Sequence, residues 1–273
     1  MPATLFPHKF EFCTLASGSS GNCHYFGNEE EGILIDAGIS ARRIKKSLDE
    51  IGTGIQNIKA VFITHDHIDH ISALTRLTKR YHIPVYCTDG TWKGILRNRA
   101  TYDVDQTMYR EIKPFKRYLA GGFAVEAFPT SHDAVGSVGY NISNNIKSIT
   151  IATDLGYICE NVSKYLRQCH AMVIESNYDE NMLLFGSYPQ HLKQRIHGPT
   201  GHLCNSHTAR FIAENYHSGI SHIVLGHLSA ENNTPLKALE TLQDEFNKKG
   251  IRVNGTIIKA LARGERSELY YLD

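Results

Sequence analysis

No apolar run approaches the roughly 20 residues that a membrane-spanning helix needs, and residues 1–9 lack the apolar core of a signal peptide. A cytoplasmic location without a membrane partner is therefore expected. Cysteine is sparse and scattered. Cys13, Cys23, Cys87, Cys159, Cys169 and Cys204 form no C-x-x-C pair, and a chain of 273 residues buries enough core to do without disulfide staples. Reduced, mostly buried thiols follow. Internal repeats, low-complexity stretches and Pro/Gly-rich linkers are missing too, which argues for a single domain over residues 1–273. The composition, 41% hydrophobic and 21% charged, excludes disordered and collagen-like chains. Net charge is only +1, so attraction for a polyanion must come from local placement. Residues 41–117 hold 15 Lys/Arg against 8 Asp/Glu, a basic sector able to attract one. Arg42, Arg43, Lys45 and Lys46 equally fit the solvated side of an amphipathic helix.

What is present is a mixed pattern. Residues 10–15, 24–26, 32–36, 60–63, 84–88, 107–112, 123–128, 138–142, 146–152, 171–175, 220–225 and 269–272 read as strands. Helical spacing covers 40–51, 71–81, 90–97, 190–197, 206–217 and 235–248, with Ser40 as a cap. The mixture recurs in both parts of the chain, which suggests two similar halves packed face to face in a layered α/β domain.

The densest chemistry lies in residues 61–70, Val-Phe-Ile-Thr-His-Asp-His-Ile-Asp-His. A strand end delivers His65, His67, Asp69 and His70 within six positions, and imidazole with carboxylate suits a borderline transition metal. A polar turn with Asp69 as helix N-cap is the plainer alternative, but turn chemistry alone does not call for three His and two Asp in six residues. Later strand exits carry His132, Asp154 and His227. Loops at one end of a layered sheet converge, and these seven residues suffice for two metal ions sharing Asp154.

The set resembles that of the metallo-β-lactamase fold, and Leu34-Ile-Asp36-Ala-Gly38 is similar to that fold's early strand-loop motif. The resemblance implies an α/β chain built as a four-layer αββα sandwich with a dinuclear site at one edge. It implies His65, His67 and His132 on one metal, Asp69, His70 and His227 on the other, and Asp154 between. Zn, Mn and Fe all suit such ligands. Two such ions bring the pKa of a water near neutrality and so supply a nucleophile without Ser or Cys. Asp69 could also hold that water and take its proton. Asp36 could fix the tautomer of a ligand imidazole, or be a simple turn carboxylate.

Four further stretches look like the YycJ/WalJ group of bacterial hydrolases, which are similar to DNA exonucleases working from a 5′ end. They are Ala16-Ser-Gly-Ser-Ser-Gly-Asn22, Glu175-Ser-Asn177, Gly201-His202-Leu203 and Gly226-His-Leu-Ser-Ala-Glu-Asn-Asn-Thr-Pro235. Cys204 and Gly226 depart from the pattern, standing where a hydroxyl residue and Ser are usual. His202 reads as a proton donor or substrate contact, or else as a surface histidine. Ser19, Ser20 and Asn22 could meet a phosphate in a loop rich in accessible backbone N–H groups, or belong to a plain hairpin loop; Asn177 joins them as a substrate contact. The expected activity is metal-dependent phosphodiester hydrolysis with DNA as the favoured substrate. A small cyclic or linear phosphodiester, a thioester, a lactam or RNA would keep the same site. A nucleic-acid-binding module with a structural metal fits poorly, because structural zinc sites are usually closed and Cys-rich.

Overall fold

Apolar β-branched and aromatic runs become strands, and the polar ends of those runs become the loops that carry the chemistry. The computed structural model describes residues 10–272; the expectation drawn from residues 1–9 about a signal peptide lies outside them. Two units are distinguished. One comprises the chain up to Pro129, Ala134–Ser148 and the part from Gly264 onward; the other comprises Thr130–Asp133 and Ile149–Arg263.

The first unit begins with β1 (Glu11–Ala16), β2 (Cys23–Gly27) and β3 (Gly32–Ile35), followed by α1 (Ala41–Glu50), β4 (Ile58–Phe62), α2 (Ile68–Ile71) and α3 (Leu74–Tyr81). It continues through β5 (Val85–Cys87), α4 (Asp89–Arg97), β6 (Tyr109–Glu111), β7 (Arg117–Ala120), β8 (Phe123–Pro129) and β9 (Val138–Ser143). β1, β2 and β3 pair antiparallel, whereas β3, β4, β5 and β6 pair parallel. This puts β4, which feeds the histidine-rich loop, inside its sheet between β3 and β5, with four of its five residues buried. Helix α1 starts where Ser40 accepts from the Arg43 N–H and buries Ala41, Ile44, Ser47 and Leu48. Its basic residues lie outward, and Lys45 and Lys46 face Asp49 and Glu50 one turn on. Part of the basic sector is thus solvated helix face.

The second unit holds β10 (Ser148–Ala152), α5 (Glu160–Gln168), β11 (Ala171–Glu175), α6 (Glu180–Phe185), α7 (Gln190–His197), α8 (Asn205–Asn215), β12 (His222–Gly226), α9 (Pro235–Lys248) and β13 (Ile257–Ala260). β10 to β13 pair in parallel in that order, while in the first unit β7, β8 and β9 pair antiparallel. An antiparallel run of three strands followed by parallel ones therefore occurs twice along the chain. Helix α9 matches its expected span, with Thr234 as cap, Pro235 at the first helical position and Ala238, Leu242 and Phe246 buried. The final strand β14 (Tyr270–Tyr271) pairs antiparallel with β1 in the first unit.

Some elements differ from the sequence reading. The helix expected over 71–81 is two helices, because Ser72 and Ala73 turn the chain between α2 and α3. The cap of α2 is His67, and Asp69 lies inside its first turn rather than capping it. β7 and β13 alternate exposed with half-buried positions, so neither carries the apolar face that marks a strand. Helices α5 and α6 lie outside the helical spans expected from the sequence. All six cysteines are free, five of them buried. Among the described residues no helix is long and apolar enough to cross a membrane.

Candidate metal centre

Each unit presents its own set of donors. In the first, β3 ends at Ile35 and Asp36 turns the chain with φ 60°, a left-handed conformation that a non-glycine residue adopts only when its surroundings enforce it. The enforcing contacts are visible. The Asp36 N–H donates to the Phe62 carbonyl at 2.8 Å, and Asp36 Oδ1 accepts from the Thr64 N–H at 2.9 Å and the Thr64 hydroxyl at 3.0 Å. Its other oxygen, Oδ2, lies 2.7 Å from His70 Nδ1. The carboxylate only accepts, so His70 carries its proton on Nδ1 and a lone pair on Nε2. Asn22 agrees with this tautomer. Its Oδ1 accepts from the Gly18 N–H at 2.9 Å, which orients the amide, and its Nδ2 donates to His70 Nε2 at 3.0 Å.

A second tautomer follows from a proton count. The Thr64 hydroxyl has one hydrogen, given to Asp36, and His65 Nδ1 stands 3.0 Å from the same oxygen. His65 must therefore donate through Nδ1, leaving its lone pair on Nε2. The rings of His65 and His67 lie 4.6 Å apart, those of His65 and His70 4.0 Å. Asp66, the acid of the run outside the ligand pool, points elsewhere: its carboxylate fills the space that a side chain at Gly94 on α4 would need.

In the second unit, Asp154 follows β10 and His227 follows β12, both left-handed at φ 57° and 54°. Between their strands stands Glu175, the last residue of β11, fully buried and paired in register with Gly226. Glu175 Oε1 accepts from His202 Nδ1 at 2.7 Å and His227 Nδ1 at 2.9 Å, and its Oε2 accepts from the N–H groups of Leu155 and Leu203 at 2.6 and 3.3 Å. Burial alone would raise this carboxyl, but the His202 and His227 imidazoles outweigh burial and hold it well below the usual carboxylate range. The ligand atoms of Asp154, Glu175, His202 and His227 all lie within 4.8 Å of one another.

His132 completes the group. Its Nδ1 faces the Gly201 carbonyl at 3.3 Å, a contact that favours the proton on Nδ1, its Nε2 also faces Asp133 Oδ1 at 3.3 Å, and burial holds the imidazole below its ordinary pKa against the pull of Asp154. The Nε2 atoms of His132 and His227 approach Asp154 Oδ1 to 3.7 and 3.5 Å. That is longer than a good hydrogen bond, and close to the roughly 3.3–3.6 Å between ligands bound tetrahedrally at ~2.0–2.2 Å. Neutral imidazole lone pairs turned toward one carboxylate oxygen are the donor chemistry of a cation site, so the residues fit a metal.

Other expected residues have different surroundings. Ser19 and Ser20 are exposed. Asn22 is fully buried behind His70, and Asn177, also buried, donates to the His227 carbonyl at 2.8 Å. These two amides contact candidate ligand residues, His70 and His227. Glu175 and Thr64 were not among the expected site residues, although Glu175, an acid closing an apolar strand, repeats the signal that marked Asp36.

The family model described as a Beta-lactamase superfamily domain matches residues 32–227. The exodeoxyribonuclease YycJ of Bacillus anthracis is 34% identical over 242 residues, covering 89% of this chain and 91% of that protein. The exodeoxyribonuclease WalJ of Streptococcus pneumoniae is 33% identical over 237 residues, 87% of this chain and 88% of the relative. Among solved structures, the metallo-β-lactamase fold protein YhfI from Bacillus subtilis superposes with a TM-score of 0.70 at 14% identity, over 96% of this chain and 99% of that one. The fold class read from the sequence, an α/β sandwich of the metallo-β-lactamase kind, is the one found, and the chain is a metal-dependent hydrolase. With a match across most of its length and relatives above 30% identity over nearly all of it, this chain belongs to the beta-lactamase superfamily, in the group of the exodeoxyribonucleases YycJ and WalJ.

Proposed function

We propose that this chain is a single-domain, cytoplasmic DNA exonuclease whose two divalent ions, Zn, Mn or Fe, are held by His65, His67 and His132 on one side, by Asp69, His70 and His227 on the other, and by Asp154 between them. The observation that carries the reading is the tautomer pattern: Asp36, Thr64, Glu175 and the Gly201 carbonyl each face an Nδ1, which leaves the lone pairs of His70, His65, His227 and His132 on Nε2; at His70 that lone pair accepts from Asn22 Nδ2, which must turn aside for a metal to bind. The names of the 33–34% identical relatives supply the substrate class. Six free thiols agree with a reducing compartment.

Bound there, the ions supply an activated water at neutral pH and positive charge against a phosphoryl oxygen. The chain's own residues do the rest. Asp69, half-buried in the first turn of α2, orients the attacking water and takes its proton. His202, held through Nδ1 by Glu175 and partly open to solvent, acts in its doubly protonated form and gives the Nε2 proton to the leaving oxygen. The exposed hydroxyls of Ser19 and Ser20 meet the phosphate backbone.

The test is release of nucleotides from 5′-labelled duplex DNA by the metal-loaded chain, the chelated chain and a His67→Ala variant, with metal content measured in each. The loaded chain is expected to act, to weaken steeply with salt as polyanion binding does, and to lose ~10²-fold or more in His67→Ala together with bound metal. Equal turnover by the variant would sink the mechanism. Salt-insensitive turnover of a small phosphodiester with none of DNA would sink the substrate.

A further inference from the structure

Outside the donors described so far, the second unit brings together a thiol, an imidazole and a carboxylate. Tyr178 and Cys204 pair as an isolated parallel β-bridge, and the Asn205 N–H donates to the Tyr178 carbonyl at 2.8 Å. This pairing sets the start of α6 beside the start of α8. Glu180 is the first residue of α6, and because Asp179 already caps that helix through the N–H groups of Asn181 and Met182, the Glu180 carboxylate is not committed to capping. Cys204 is the N-cap residue of α8, with no side-chain capping bond, and His207 is the third residue of that helix. Cys204 Sγ, an imidazole nitrogen of His207 and a carboxylate oxygen of Glu180 lie within 4.8 Å of one another.

We propose that Glu180, Cys204 and His207 form a separate binding site for one soft divalent ion of the zinc class. Softness decides the ion: a thiolate with an imidazole selects Zn or Cd over Mg or Ca, which prefer oxygen. Three protein ligands leave the fourth position to water, as in open zinc sites. Thiolate and carboxylate together cancel the charge of the ion, and the thiol proton leaves to solvent when the ion binds. Cys204 is anchored and only 1% exposed, whereas Glu180 and His207 are exposed. Ligands bound at ~2.0–2.3 Å stand roughly 3.3–3.7 Å apart, so closure asks for about an ångström of movement from the two side chains that can turn. The site depends on this chain having cysteine at a position where the resemblance leads one to expect a hydroxyl, and it shares no residue with the donors assigned to hydrolysis.

The full chain, stripped by chelator and titrated with Co²⁺, gives the test. A thiolate bound to cobalt produces a near-ultraviolet charge-transfer band that His/Asp ligation does not. The band is expected to reach the intensity of one cobalt–thiolate bond per chain while total cobalt bound rises to three, to persist in His67→Ala, to vanish in Cys204→Ser, and to require about tenfold or more cobalt in His207→Ala. Serine suits an N-cap, so unchanged circular dichroism of Cys204→Ser is expected and separates ligand loss from misfolding. Absence of the band from the unmodified chain at saturating cobalt, its survival in Cys204→Ser, or unaltered affinity in His207→Ala would each overturn the assignment.

Discussion

Replacing Gly38 by alanine tests how tightly the backbone behind the histidine-rich loop is built. A Cβ at Gly38 would stand 1.5 Å from the Asp69 carbonyl oxygen, 2.2 Å from its carbon and 2.8 Å from the Asn22 nitrogen. All three are backbone atoms, so no side-chain rotation relieves the clash. Ordinary contact begins near 3.4 Å, and the chain at Asp69 must retreat by roughly 2 Å to reach it. Four hydrogen bonds tie these segments: Asn22 N–H to Asp69 O, Gly38 N–H to Asn22 O and Ala37 N–H to His70 O, each 2.8 Å, and Ala73 N–H to Ala37 O at 2.9 Å. Losing two at ~0.5–1.5 kcal/mol each, on top of overpacking at ~1–3 kcal/mol, gives a destabilisation of about 2–6 kcal/mol, ~4 kcal/mol at mid-range. In a chain of this size that is a fall in Tm of ~10 °C. Because Asp69 and His70 are displaced, and misplacement by ~1 Å can cost ~10²-fold in rate, DNA turnover should fall by that factor or more at temperatures where the variant is still folded. A Gly38→Ala protein melting within 2 °C of the parent (roughly 1 kcal/mol or less) with full activity would refute the argument that this glycine holds the loop.

Two other outcomes are expected. Glu175→Gln keeps the shape but replaces one accepting oxygen by an amide that can only donate, so at least one of its four donors loses its partner; metal affinity by competitive chelation should drop ~10–100-fold, and unchanged affinity would remove Glu175 from the support of His227. Alkylation of the native protein should modify Cys159 first, because Cys13, Cys23, Cys87, Cys169 and Cys204 are buried and burial raises each thiol, that of Cys169 to about 12; mass spectrometry finding two or more rapidly modified thiols would contradict the packing.

How far the sequence can be read depends on whether a residue's role is local. His65, His67, Asp69 and His70 announce themselves because four donors crowd one strand end, and α9 does so because Thr234, Pro235 and a regular apolar stripe coincide. Glu175 does not. Within Ala-Met-Val-Ile-Glu it looks like an acid ending a buried strand, and its importance comes from the parallel register that sets it beside Gly226, one residue before His227. Register is a property of two segments about fifty residues apart, and no window along the chain contains it. Asn22 is hidden in the same way: inside a Gly/Ser loop it reads as a phosphate contact, yet the turn buries it against His70.

The backbone tells the same story more sharply. Asp36, Asp154 and His227 all take left-handed φ, each at a cost of order 1–3 kcal/mol that persists only where surroundings over-determine the conformation. Composition cannot reveal such strain, since Asp before Ala-Gly or Leu-Gly is an ordinary turn former. The surrounding bonds explain why it is retained. An extended residue at 36 would carry its carboxylate away from Thr64 and His70, and with it the proton placement that leaves the Nε2 atoms of His65 and His70 as acceptors. One hydroxyl hydrogen on Thr64 therefore links a strained backbone angle at Asp36 to the tautomer of a histidine on the next strand's exit. The candidate ligands are legible in the sequence; the proton placement that suits them to a metal is set by neighbours that are not.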